Sequence, residues 1–205
     1  MSFFDRNRKE LERRGISPDR LPPGQYMTDR FPVLHAGDVP IYQDLSSWTL
    51  KVSGLVAHPV ELTFDELVDL GLEERTTDIH CVTKWSKFDT VWRGIPIAKI
   101  IELVEPQASV THLIAQAEYG FTTNIPYQDV LDDPTCMLAV EFDGKPLDPE
   151  HGYPVRFLLP HLYFWKSAKW LRGLEFRDSD APGFWERNGY HNYGDPWREQ
   201  RYWEG

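Results

Sequence analysis

Disulfide chemistry is the first thing this sequence has little means to support. Cys81 and Cys136 are the two cysteines in 205 residues, too few for a disulfide framework, and in a reducing compartment both are thiols. Neither lies in a Cys-x-x-Cys or His-x-x-x-His pattern, which argues against a closed four-ligand zinc site. No run approaches the roughly 18 apolar residues of a membrane span. Positive charge is also in short supply. A net charge of −10 argues against a nucleic-acid binder, which needs a basic face for phosphate, so any anion site must be local. There is no internal repeat and no low-complexity segment. The pair Arg13-Arg14 is followed by Gly15, Ser17, Pro18 and Asp19 rather than the apolar stretch of an export signal, so a cytoplasmic protein is expected.

What the chain has instead is aromatic mass. Aromatic residues make up 14% of it, eight of them Trp, against 41% apolar and 26% charged residues overall. That is a globular composition, and a chain this long buries roughly 70% of its extended surface on folding. Residues 1–30 read as an N-terminal arm, charged and helical at its start and punctuated by Pro22-Pro23-Gly24. Residues 31–205 read as a single domain that ends in an aromatic wrap. "WTLKVSG" alternates as a half-buried strand does, and Thr63 with Glu66 forms the capping-box pattern of a helix start. "TTDIHCVT", "SVTHLIAQA", "CMLAVEFDGKPL", "YPVRFLLP" and "AKWLRGLEFRD" read as strands, the third turning at Asp143-Gly144. "GIPIAKIIELVEP" reads as a short helix stopped by Pro106. Strands outnumber helices, so the fold class is α+β, mostly mixed or antiparallel sheet.

Two places carry candidate chemistry. Cys81 stands in "HCVTKWS". A thiol in a β-rich run is more often a packed hydrophobe than a reactive group, but Lys84 and Lys87 follow closely and favour a thiolate. His80 is adjacent, and neighbours in a strand point to opposite faces, so the two make a poor catalytic dyad. A metal held by this one thiolate needs its other ligands from a cofactor. The second place is "HGYPVRFLLPHLYFWKSAKWLRG". Arg156, Lys166 and Lys169 sit there among Leu, Phe, Tyr and Trp, where unpaired charge is costly. Arg156 and Lys169, with the Ser167 hydroxyl and loop N–H groups, suit a phosphate or pyrophosphate.

Taken in order, "HCVTKWS…WRGIPI", "YGFTTNIP", "FDGKPLDPEHGYPVRFLLP" and "KSAKWLRGLEF" resemble the molybdopterin-binding domain of the sulfite oxidase superfamily, from about Phe31 to Asp178. The aromatic tail is similar to that of small, stand-alone bacterial members. The resemblance implies the sulfite oxidase-like fold and a molybdenum-molybdopterin cofactor. It places Cys81 as the protein's sulfur ligand to molybdenum, with the other sulfurs from the pterin dithiolene. His151, Arg156, Ser167, Ala168 and Lys169 fall where the family holds the pterin and its phosphate, His35 where it makes a further cofactor contact, and Tyr119 where a tyrosine lies near the substrate oxygen.

The departures carry information too. Leu34 stands where animal and plant sulfite oxidases have an arginine, and "VTKWS" lacks their arginines after the metal-binding cysteine, so the cations that hold sulfite are missing. "CVTKWS" is closer to the catalytic subunits of bacterial methionine sulfoxide reductases. The expectation is an oxidoreductase that moves an oxygen atom to or from a small sulfoxide-like or sulfite-like substrate, exchanges electrons with a separate partner protein, and uses tail residues such as His191 and Tyr193 to shape access. Two alternatives stand beside it: a cofactor-binding or carrier domain without turnover, and a metal-free thiol enzyme using Cys81.

Overall fold

The computed structural model describes residues 3–35 and 37–203. Helix α1 (Phe3–Arg13) buries Leu11, which is 1% exposed. The chain then runs past the Pro22-Pro23-Gly24 stretch into the two-residue strand β1 (Tyr26–Met27). Strand β2 (Thr49–Gly54) alternates as its sequence predicts, with Leu50 and Val52 buried. Strand β3 (Val60–Thr63) leads into helix α2 (Phe64–Asp69), and both halves of the Thr63–Glu66 capping box form. Strand β4 (Glu73–His80) turns back into strand β5 (Trp85–Pro96), and helix α3 (Ile97–Val104) follows directly. Glu105 ends α3 in the left-handed region, one residue before Pro106.

Next come strand β6 (His112–Ala117), strand β7 (Thr122–Pro126) and helix α4 (Tyr127–Asp132). The hairpin of strand β8 (Met137–Phe142) and strand β9 (Lys145–Pro146) turns at Asp143-Gly144, both at positive φ, as that dipeptide predicts. Strand β10 (Arg156–Leu158), strand β11 (Leu171–Arg177) and helix α5 (Phe184–Arg187) complete the elements.

These strands form two mixed sheets, and the fold is α+β. In one, β3-β2-β11-β6-β7 lie in that order, with β2 and β11 parallel and the other neighbours antiparallel. In the other, the long β5 pairs with β4, β8 and β1, while β8 also pairs with β10 and β9. One core fills the space between sheets and helices. A second, strongly aromatic core gathers Trp85, Trp92, Tyr163, Phe164 and Trp165 with Cys81.

One expectation needs correction, and one strand went unread. Cys81 does not lie inside a strand: β4 ends at His80 and Cys81 opens a tight turn, closed by Lys84 N–H donating to Cys81 O at 3.0 Å. And the stretch before Gly94, not singled out from the sequence, is most of the twelve-residue strand β5. Asp89 at φ 52° and the register shift between Thr77 and Ile79 break the period-2 alternation that would have announced it.

Candidate functional site

The β4–β5 turn, the β10–β11 connection, residues 31–35 with Gly37, and the tail converge on a cavity of about 520 Å³. All eight residues that the family resemblance assigns to metal, cofactor or substrate line it: His35, Cys81, Tyr119, His151, Arg156, Ser167, Ala168 and Lys169. Because Cys81 follows the last strand residue, His80 faces away from it. The imidazole of His80 meets Ser86 Oγ at 2.8 Å and lines a separate cavity of about 490 Å³ with Asp78, Asp129, Asp132, Asp133 and His161. The two side chains therefore form no dyad.

Cys81 is 8% exposed. Burial pushes its thiol up, and against that act the Thr83 hydroxyl, 3.2 Å from Sγ, and the charge of Arg201. Lys84 and Lys87 are not the cations that matter, contrary to the sequence reading. Lys84 is exposed on the turn, and Lys87 donates to Asp29 O at 2.9 Å. Among the described residues no group of three or more His, Cys, Asp or Glu is arranged to hold a metal, so a metal at Cys81 needs ligands from elsewhere.

The cationic wall is built from β10, which carries Arg156, and the connection leading to β11, which carries Lys169. Arg156 is 2% exposed; its Nη1 donates to His151 O at 2.8 Å and its Nη2 to Ser167 O at 2.9 Å. Its Nε is buried without a partner among the described residues, and its guanidinium lies 4.1 Å from the Phe164 ring centroid. Lys169 Nζ donates to Leu34 O at 3.0 Å and Glu150 O at 2.9 Å, over the Trp170 ring. No carboxylate pairs with either cation among the described residues. Burial pulls Arg156 down to about 9. Burial, and then the Arg156 charge beside it, pulls Lys169 down to about 7. Two unneutralised cations facing one cavity make a site for an anion.

Gly152 lets the wall close. At φ +115° it lies where an added Cβ would come within 3.1 Å of Arg156 Cβ and 3.2 Å of Lys169 Cβ. Neither Ala168 N nor Lys169 N donates to a backbone carbonyl among the described residues, so both N–H groups suit phosphate oxygens. The Ser167 hydroxyl does not. It accepts from Leu159 N at 2.9 Å and donates to Leu159 O at 3.4 Å, so Ser167 shapes the wall through its backbone instead. His151 stacks on Phe31 with ring centroids 3.9 Å apart, and burial lowers its basicity. His35 is exposed at the rim beside Trp170, its Nδ1 3.0 Å from Gly37 O. Tyr119, at φ 58°, is 69% exposed at the mouth.

The tail does reach the cavity, but through other residues than expected. His191 Nδ1 caps the N–H groups of Tyr193 and Gly194, and the Tyr193 hydroxyl donates to Asp129 on the acidic cavity. The wall is instead formed by Phe184, Trp185 and Tyr190, the last two stacked at 4.9 Å. They are aimed there by Glu186, buried one residue after Trp185, which accepts from Trp165 Nε1 at 2.9 Å and pairs with Lys166 at 2.6 Å. Sequence reasoning missed these aromatics because their spacing follows no period. Phe31 and Trp165 were missed for the same reason.

Residues 36–185 match the model of the oxidoreductase molybdopterin-binding domain. The chain belongs to that family of oxidoreductases. It is 51% identical over 183 residues to the uncharacterized oxidoreductase YuiH of Bacillus subtilis (strain 168), a match covering 89% of this chain and 92% of YuiH. It is 30% identical over 164 residues to the protein-methionine-sulfoxide reductase catalytic subunit MsrP of Gluconobacter oxydans (strain 621H), covering 72% of this chain but only 52% of MsrP. Its fold is similar to the crystal structure of the sulfane dehydrogenase SoxCD from Paracoccus pantotrophus, with a TM-score of 0.62 at 22% identity over 73% of this chain and 42% of the other.

Proposed function

We propose that this protein is a molybdenum-molybdopterin oxidoreductase that moves an oxygen atom to or from a small substrate, with Cys81 as the protein's ligand to the metal. One observation carries the reading: the buried thiol shares a cavity with two cations, the buried Arg156 and the half-buried Lys169, that lack carboxylate partners among the described residues, and with an Arg156 Nε that has no partner among them. A thiolate for a thiophilic metal and a cationic wall for a phosphate are the two ends such a cofactor requires. When bound, the cofactor supplies a two-electron couple that accepts or releases an oxygen atom. Lys169, Arg156 and the N–H groups of Ala168 and Lys169 would hold its phosphate, His151 and His35 would border the pterin, and the Thr83 hydroxyl, 3.2 Å from Cys81 Sγ, would donate to the sulfur once that is deprotonated.

The mouth favours an uncharged substrate. Leu34, Tyr119, Phe121 and Phe184 line it, and the only Arg or Lys lining the cavity among the described residues are those assigned to the cofactor. A sulfite dianion would find no free cation there, whereas a sulfoxide is neutral and partly apolar. The similarity to MsrP supports the same choice, and electrons are then exchanged with a separate partner protein. A metal-free thiol enzyme fits less well, because burial holds the Cys81 thiol high and covered.

The direct test is elemental analysis of protein made in a molybdenum-replete host. Near-stoichiometric molybdenum is expected in the wild type and in Cys136→Ser, and its loss in Cys81→Ser. Wild-type protein without molybdenum or pterin would sink the proposal. A loaded protein that never reduces sulfoxides with an artificial electron donor would instead favour a carrier role.

A further inference from the structure

Gln25 and Arg201 lie on either side of residues 36–185, outside the stretch that the family shares. Both are buried, at 1% and 8% exposure. Both donate to the turn that carries Cys81: Gln25 Nε2 to Cys81 O at 3.0 Å, and Arg201 Nη1 to Val82 O at 2.6 Å. Arg201 Nη2 also reaches Pro23 O at 3.4 Å, and its guanidinium lies over the Tyr163 ring. Just after Gln25, Tyr26 N–H donates to Lys84 O at 2.8 Å, and β1 pairs in parallel with the first residues of β5. The arm and the tail thus meet across the Cys81 turn, and each fixes one of its carbonyls.

Two backbone hydrogen bonds close the turn, Lys84 N–H to Cys81 O at 3.0 Å and Cys81 N–H to Trp85 O at 2.8 Å, but the residues between them can still shift unless their peptide planes are held by other groups. Here both the Cys81 and the Val82 carbonyls are pinned by side chains that are themselves buried. Groups behind a metal ligand orient it as the ligand itself cannot. We infer that Gln25 and Arg201 are positioning residues that hold the Cys81 thiol toward the cavity, so that segments outside the shared domain are part of the active site. The inference rests on Cys81 facing the cofactor cavity, and its metal readouts rest on the proposed function.

The test compares wild type with Gln25→Met, Arg201→Met, Arg201→Lys and, as a tail control, Trp203→Phe, which removes the Trp203 Nε1 donor to Glu186 O without touching the turn. Two readouts other than activity are taken. One is the rate of Cys81 alkylation by iodoacetamide in cofactor-free protein on a Cys136→Ser background. The other is the molybdenum retained on dialysis, with the electron paramagnetic resonance spectrum of the reduced, loaded protein. Gln25→Met and Arg201→Met are expected to alkylate at least about tenfold faster, retain molybdenum about tenfold less tightly and shift the spectrum. Arg201→Lys, which keeps the charge and can reach one carbonyl, should recover most of the wild-type behaviour, and Trp203→Phe should match wild type throughout. Folded Gln25→Met with wild-type alkylation and spectrum overturns the inference even where Arg201→Met fails to fold. So does a Trp203→Phe that loosens the thiol equally. Wild type without molybdenum overturns the cofactor reading, and alkylation then still decides whether the turn is held by these two residues.

Discussion

Lys166 and Lys169 are three residues apart in one loop, both drawn into the protein, and they live in opposite surroundings. Lys166 Nζ donates to Asn124 O and Oδ1 at 2.8 Å and Asn192 O at 2.7 Å, and meets Glu186 Oε1 at 2.6 Å, with both side chains 0% exposed. Lys169, with Arg156 beside it, meets carbonyl oxygens and aromatic faces but no carboxylate among the described residues. A buried charge with its counter-ion belongs to the fold. A charge without one, drawn half into a cavity wall, is poised for a ligand that brings the missing charge, and here that difference goes together with the deeper burial of Lys166 to separate scaffold from site.

Removing Lys166 should therefore have the largest effect on stability. Lys166→Met leaves Glu186 buried and unpaired, which costs on the order of 3–5 kcal/mol. In a domain of this size that lowers the melting temperature by roughly 6–20 °C. Calorimetry on cofactor-free protein reads it, and a shift of less than about 2 °C would remove the distinction between the two lysines.

The same assay on Lys169→Met should show no loss comparable to that of Lys166→Met, because what is lost is an unpaired charge that burial already disfavours and whose carbonyl partners lie at exposed residues. Its cost falls on the cofactor instead. A charge-assisted hydrogen bond of about 1.5–3 kcal/mol corresponds to a loss of roughly 10- to 100-fold in phosphate-group affinity. The pH dependence has a definite sign. With Lys169 held down to about 7, against an ordinary value of 10.5, the unfolded chain binds a proton in that window that the folded one does not. Cofactor-free protein should thus gain stability as pH rises from about 7 toward 10.5, and this gain should vanish in Lys169→Met. Denaturant midpoints measured across that range would show it. A slope unchanged by the substitution would assign the effect to another group.

The sequence makes part of this contrast legible. Thr63 and Glu66, or Asp143 and Gly144, specify their structures through neighbours, and both features form as written. The thiol and the cationic loop could be nominated because their residue types are costly to bury without purpose. What the sequence cannot distinguish is Lys166 from Lys169, because the deciding partners, Asn124 and Glu186, are 42 residues before and 20 residues after Lys166 and are brought in by β7 and the tail. Gln25 and Arg201 escape for the same reason, reaching the turn from 56 and 119 residues away. The Ser167 hydroxyl shows the reverse error: the right residue type at the cavity, already committed to Leu159.

His161 is the intermediate case, a cation that has its carboxylates but sits partly in water. Its Nδ1 is 3.0 Å from Asp133 Oδ2 and its Nε2 is 3.7 Å from Asp129 Oδ2, with 36% of the side chain exposed. Burial works against its charged form, but the two carboxylates outweigh that and hold it up to about 9. A folded value above the unfolded one, near 6.5, means that the stabilisation is complete below about 6.5 and is lost as pH rises through about 9. His161→Asn should accordingly cost less than about 1 kcal/mol, since solvent screens a pair this open. The loss should be largest in the acid part of the window and close to zero above its top. Urea midpoints of variant and wild type on both sides of it test the assignment. A cost that does not change with pH would mean that His161 stabilises by packing, leaving Lys166 without a surface counterpart.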